Sequence, residues 1–225
     1  MTKSHISCIL ILALCSTILC TAERIPRNEI DMAKVMQECN VTQSDGASTY
    51  IVMFMTQEYW ESTLEKNKDQ LGMAYDLVMN NIKGRVTVMI IDMDMSNAAS
   101  IKFADPKDME ANVKVRISKS GKTIEAPISS SEEAKSMLTF IRPMLAQMMG
   151  QLGKGMYCQT YDITDKDGVS GFSVFEKGAI EVTYKGKSFK VATPLDSFHI
   201  PRKLPNGKNA HISWDYDPWT GKKIE

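Results

Sequence analysis

The sequence predicts an α+β domain: an antiparallel sheet of hairpins covered by two main helices, followed by a loop-rich aromatic C-terminal extension. Three observations carry this. Residues 130–152 read as one amphipathic helix, with Ala134, Met137, Leu138, Ile141, Leu145, Met148 and Leu152 at three- and four-residue spacing. Alternating apolar and polar runs beside it are linked by short glycine-containing turns, which is the pattern of hairpins. The chain has 225 residues, 43% hydrophobic and 24% charged, enough to bury one core of ordinary size.

The first 22 residues stand apart. Lys3 and His5 open a short polar region, residues 6–19 are apolar, and Cys20-Thr21-Ala22 places small residues before Glu23. Together these read as a secretory signal peptide. A retained anchor helix is the alternative, but the apolar run is shorter than the usual span of about 20 residues. Lipidation at Cys20, which would attach the chain to a membrane, meets Leu19 where its motif wants a small residue. The expected organisation is a signal peptide over 1–22, an α+β domain over 23–198 and an extension over 199–225.

In chain order, Asn28 caps a short helix over 29–39. Asn40-Val41-Thr42 is a glycosylation sequon, relevant only in a eukaryotic secretory pathway. Residues 49–55 are β-branched and aromatic and form a buried strand. Thr56 then caps a long helix to about Ile82, with Trp60, Leu64, Leu71, Ala74 and Val78 at helical spacing. Residues 85–91 are an apolar run of strand length, expected near the sheet centre. Residues 101–104 form an edge strand. Val113, Val115 and Ile117 alternate with Lys114, Arg116 and Ser118, and 123–128 returns after Ser120-Gly121. The opening helix starts with a capping box at Ser130 and Glu133 and stops at Gly150. Pro143 lies inside it and is expected to kink it, leaving Met144, Met148 and Met149 to line an adaptable apolar groove. Strands follow at 157–163, 171–175, 179–184 and 188–193, with turns at Asp165-Lys166-Asp167-Gly168, Lys177-Gly178 and Lys185-Gly186.

Charge and cysteine usage narrow the function. Lys plus Arg and Asp plus Glu are 27 each, so no net field favours nucleic acid. Cys8, Cys15 and Cys20 leave with the signal. Cys39 and Cys158 remain, an even pair that in an exported protein reads as one disulfide. Such a bridge adds about 4–5 kcal/mol in the chain-entropy account. Two buried, unpaired thiols are the alternative.

Asp92-Met93-Asp94-Met95-Ser96 directly follows the apolar strand and resembles the first motif of the haloacid-dehalogenase-like phosphatases. The resemblance implies Asp92 as nucleophile, Asp94 as general acid and base, and Mg²⁺ between carboxylates and phosphate. It covers five residues, no second acidic pair follows, and hairpins replace the helix–strand alternation of that fold. A solvated strand end is the competing reading. The turn at 165–168 does not make an EF-hand, because Ile163 and Val174 occupy the first and twelfth ligand positions.

The 16 methionines suggest Cu(I) handling as a minor reading, yet most fall on apolar faces, where core filling explains them. His199 and His211 with Asp215 and Asp217 match no metal-ligand spacing. Neither a P-loop nor a G-x-S-x-G elbow is present.

The tail, residues 204–208 and 213–224, is similar to a pair of zinc-ribbon knuckles that have lost their cysteines. Asp217 and Thr220 stand where the second knuckle has thiolates, and Leu204 where the first begins. The resemblance implies a knuckle-shaped turn without zinc, packed by Trp214, Tyr216 and Trp219, or exposing them to a partner. The resulting expectation is a periplasmic or secreted, non-enzymatic protein of binding or structural type. It takes no cofactor and engages another protein of the envelope or extracellular space. A phosphatase-like hydrolase is the alternative.

Overall fold

The computed structural model describes residues 23–65, 68–97, 100–164 and 171–224. The expected signal peptide, Cys20 and the expected turn at 165–168 lie outside the described residues. In chain order the elements are α1 (Met32–Glu38), β1 (Asn40–Asp45), β2 (Ser48–Met55), α2 (Gln57–Glu65), α3 (Lys68–Leu71), α4 (Met73–Asn81), β3 (Arg85–Asn97), β4 (Ser100–Phe103), α5 (Pro106–Glu110), β5 (Lys114–Lys119), β6 (Lys122–Ala126), α6 (Glu132–Met149), β7 (Met156–Asp162), β8 (Gly178–Tyr184), β9 (Lys187–Thr193), β10 (Arg202–Lys203) and β11 (Asn209–Ala210).

The architecture is α+β with antiparallel pairing throughout, as expected, but the hairpins divide into two main sheets. The first is centred on β3. One side of β3 pairs with β2 and, beyond it, β1. Its other side pairs in succession with β7, along Arg85–Ile91, and with β4 from Met93 onward. Every residue from Val86 to Met93 is buried, so both faces of this strand are covered, which is why it reads as a continuous apolar run. The second sheet has the order β6-β5-β8-β9. Its strands alternate: Val115, Ile117, Ile180, Val182, Phe189 and Val191 are buried, while Lys114, Arg116, Lys190 and Ala192 face water. β10 and β11 form a separate two-stranded hairpin in the tail.

Helix α6 buries Ala134, Met137, Leu138, Ile141 and Leu145, and Arg142 fastens it to β7 by donating from Nε and Nη2 to the Cys158 carbonyl at 2.9 and 2.7 Å. Its cap is Ser131, not Ser130: the Ser131 hydroxyl accepts the Ala134 amide at 3.1 Å. The helix runs through Pro143 without a break. Pro143 and Thr139, whose carbonyl loses its helical partner there, both lie on the exposed side. Met144 and Met149 are half-buried against the core, and Met148 is exposed.

Three further expectations are corrected. The long 56–82 helix is three helices; Gly72 sits at φ 51, outside the right-handed region, and separates α3 from α4. Residues 171–175 are not a strand, and Gly171 instead donates to the Ile163 carbonyl at 2.7 Å. Cys39 and Cys158 are both buried free thiols. Cys39 immediately precedes β1, whereas Cys158 pairs with Met89 across β3. With β2 and β3 between them, three strand spacings of about 4.8 Å hold them roughly 14 Å apart. A disulfide needs Cα atoms within about 7 Å.

Candidate functional site

Asp92 lies in the middle of β3, opposite Tyr50 of β2, and is 5% exposed. Its Oδ2 accepts the Tyr184 hydroxyl at 2.8 Å and the Lys185 ammonium at 2.7 Å. Both partners come from the end of β8, where Lys185 (φ 48) and Gly186 (φ 73) form a tight turn of the kind that joins hairpin strands. Tyr50 stands edge-on to Tyr184 at 6.3 Å. Beside this contact, Lys187 pairs with Asp45 at 2.7 Å and the Gln43 amide donates to the Ser188 carbonyl at 2.8 Å. The second sheet is therefore pinned to the first through the β8–β9 hairpin. Burial, then the bond to Asp92, pushes the Tyr184 hydroxyl pKa well up, and the same carboxylate raises that of Lys185.

Asp94 is used differently. Its Oδ1 accepts the Ser96 amide at 2.8 Å, which holds its carboxyl below the usual range. The phosphatase resemblance implies a nucleophile at the end of a parallel strand. Here β3 is antiparallel to its neighbours and runs five residues beyond Asp92. Among the described residues no group of three or more His, Cys, Asp or Glu is placed to hold a metal ion.

The tail is organised around Arg202, whose role has little sequence signal, and Asp217, whose position the knuckle-like spacing marks. Arg202 Nη2 donates to the carbonyls of Trp214 (2.6 Å) and Ile212 (3.0 Å), gathering the chain after β11. Asp217, 2% exposed, accepts the Trp219 amide on Oδ1 at 2.9 Å and the Thr220 hydroxyl on Oδ2 at 2.7 Å. The Asp217 carbonyl takes the Gly221 amide at 2.8 Å, and Gly221 occupies the left-handed region at φ 69. The Thr220 hydroxyl, then the Trp219 amide, holds the Asp217 carboxyl below its ordinary range. The two positions that face a metal in a zinc knuckle thus bond to each other. The first turn also keeps its curl, with Gly207 at φ 79 and its amide on the Leu204 carbonyl at 2.8 Å.

This turn leaves two large rings in water. Trp219 is 65% and Tyr216 60% exposed, while Trp214 is half-buried and meets Trp219 edge-on at 5.6 Å. The Lys208 ammonium lies 5.9 Å from the Trp219 ring centre, and Lys223 pairs with Tyr216 across the turn. The module docks on the body through Asp196, whose Oδ1 accepts the Ile212 amide at 2.6 Å. Glu38 of α1 in turn accepts the Asp196 and Ser197 amides at 2.9 and 3.0 Å. A cleft of about 300 Å³ opens at this junction, lined in part by Lys34, Ile200, Arg202 and Ile212. His199 is buried and stands edge-on to Phe175 at 5.6 Å; His211 bonds to Ser213 at 2.7 Å.

No family model matches the chain, and no curated protein does either. A DUF4426 family protein from Pseudomonas aeruginosa PAO1, known from a crystal structure, is similar at 13% identity with a TM-score of 0.29, over 69% of this chain and 94% of that one. At that TM-score the likeness bears on neither fold nor function.

Proposed function

We propose that this chain is an exported, non-enzymatic binding protein whose recognition surface is the C-terminal turn bearing Trp219 and Tyr216. The observation that carries the reading is the fixed exposure of these two rings. Asp217 spends a buried carboxylate on shaping the turn that holds them out, although burying such rings is strongly favourable. Exposed aromatic patches of this kind mark contact surfaces. Export is supported by the composition of residues 1–22. The Asp92 carboxylate is taken up by Tyr184 and Lys185, so its burial has a structural explanation that needs no reaction.

The test is binding to isolated cell-envelope material. The Trp219→Ala/Tyr216→Ala protein should keep its melting temperature and lose most of its retention. Equal retention of both proteins, or a hydrolase activity abolished by Asp92→Asn, would sink the reading.

A further inference from the structure

We infer that the partner of the aromatic turn is an anionic phospholipid surface, an inference that rests on the binding role proposed for that turn. The argument comes from what surrounds the rings. The Lys208 ammonium lies 5.9 Å from the Trp219 ring centre, the Lys223 backbone bridges to that of Tyr216, and Lys222 supplies the carbonyl that accepts the Asp217 amide at 2.7 Å. All three lysines are exposed. Asp215, the exposed acid beside them, is faced by Lys177 at 3.9 Å. Residues 199–225 carry five Lys and Arg against three Asp and Glu, in a chain whose formal net charge is zero. Three exposed lysines therefore stand beside the exposed rings.

That pairing of residue types decides between occupants. Protein interfaces enrich Trp and Tyr but deplete Lys. The boundary of a bilayer takes both: indole and phenol rings sit at headgroup depth, and nearby lysines are drawn to anionic lipid. The geometry suits shallow, reversible docking. No helix among the described residues is long and apolar enough to cross a membrane, and one turn inserts little apolar area. Backbone groups within the turn are already bonded by Asp217, Gly221 and Lys222, so the rings can enter the headgroup layer without exposing unpaired amides there.

The experiment mixes the full chain with phosphatidylcholine vesicles, with and without phosphatidylglycerol, each doped with brominated lipid. Indole quenching reports entry of the tail, since Trp60 is buried in the core. Quenching is expected with phosphatidylglycerol and not without it, and it should fade as salt is raised. Trp219→Phe should remove most of it. Lys208→Gln and Lys223→Gln, both at exposed sites, should each weaken binding about fivefold. Absence of quenching, equal quenching in neutral vesicles, or indifference to both lysine variants would overturn the inference. Tail-dependent retention on envelope material without any response to vesicles would do the same, while leaving the binding role of the turn intact and pointing to a protein partner.

Discussion

The Tyr184 hydroxyl donates to Asp92 across the gap between the two main sheets, at 2.8 Å and with both residues at most 5% exposed. Tyr184→Phe removes that donor and leaves a buried carboxylate with Lys185 alone, whose ammonium is half in water. The expected loss is about 1.5–3 kcal/mol, the range for a hydrogen bond to a charged group. Urea unfolding of the single variants and of Tyr184→Phe/Asp92→Asn would measure it. The two changes should be clearly non-additive, because both act on the same bond.

The two buried cysteines, Cys39 and Cys158, are expected to be inert until the protein unfolds. Burial pushes the thiols of Cys39 and Cys158 up to about 12, so almost no thiolate exists at neutral pH. A chromogenic disulfide reagent should fail to label Cys39 and Cys158 in the native protein and should titrate both in denaturant. Reductant should leave the melting temperature unchanged. The raised values also set a sign: the folded state holds these protons more tightly, so stability is complete below the ordinary thiol value of about 8.5 and is lost as pH climbs from there toward about 12.

The order of the tail should depend on pH in the opposite direction. The Asp217 carboxyl is held below its usual range, so its contribution is complete above about 3.9 and is lost as acid takes it through its folded-state value. Indole fluorescence of Trp214 and Trp219 should report loosening in that acid window. Asp217→Asn should move the loosening toward neutral conditions or remove its pH dependence, and should quicken proteolysis after β11.

Glu38 tests the attachment of the tail. Its carboxylate accepts two amides of the 196–198 turn from a helix near the other end of the chain. Glu38→Ala should cost about 1–2 kcal/mol, toward the low end for charged hydrogen bonds because the site is only partly buried. Hydrogen exchange should show the effect concentrated at Asp196, Ser197 and Ile212.

What could be read from the sequence was set by local pattern. β5, β8 and β9 alternate cleanly because one face of their sheet meets water, and 85–91 is apolar because both faces of β3 are covered. The continuation of β3 through Asp92 and Asp94 reads as a strand end, since the residue that neutralises Asp92 stands 93 positions away at Lys185. The division into two sheets is equally non-local: β5 pairs with β8, 59 to 69 residues on, and nothing within either strand names its partner. The paired-cysteine expectation failed for the same reason, because parity carries no distance. The cap moved by one residue within a run of serines that offers several equivalent hydroxyls. At the site, Trp214, Tyr216, Trp219 and Asp217 were visible through their knuckle-like spacing, whereas Arg202 and Glu38 act on backbone groups and leave no pattern to find.

The Asp217–Thr220 bond gives the tail an independence that a thiolate knuckle lacks. A zinc knuckle exists only where metal can be obtained and sulfur stays reduced. A turn closed by a carboxylate and a hydroxyl has no ion to lose and nothing to oxidise, so it keeps its shape through chelators, oxidants and metal starvation. The shape of the turn is thereby a property of the chain alone.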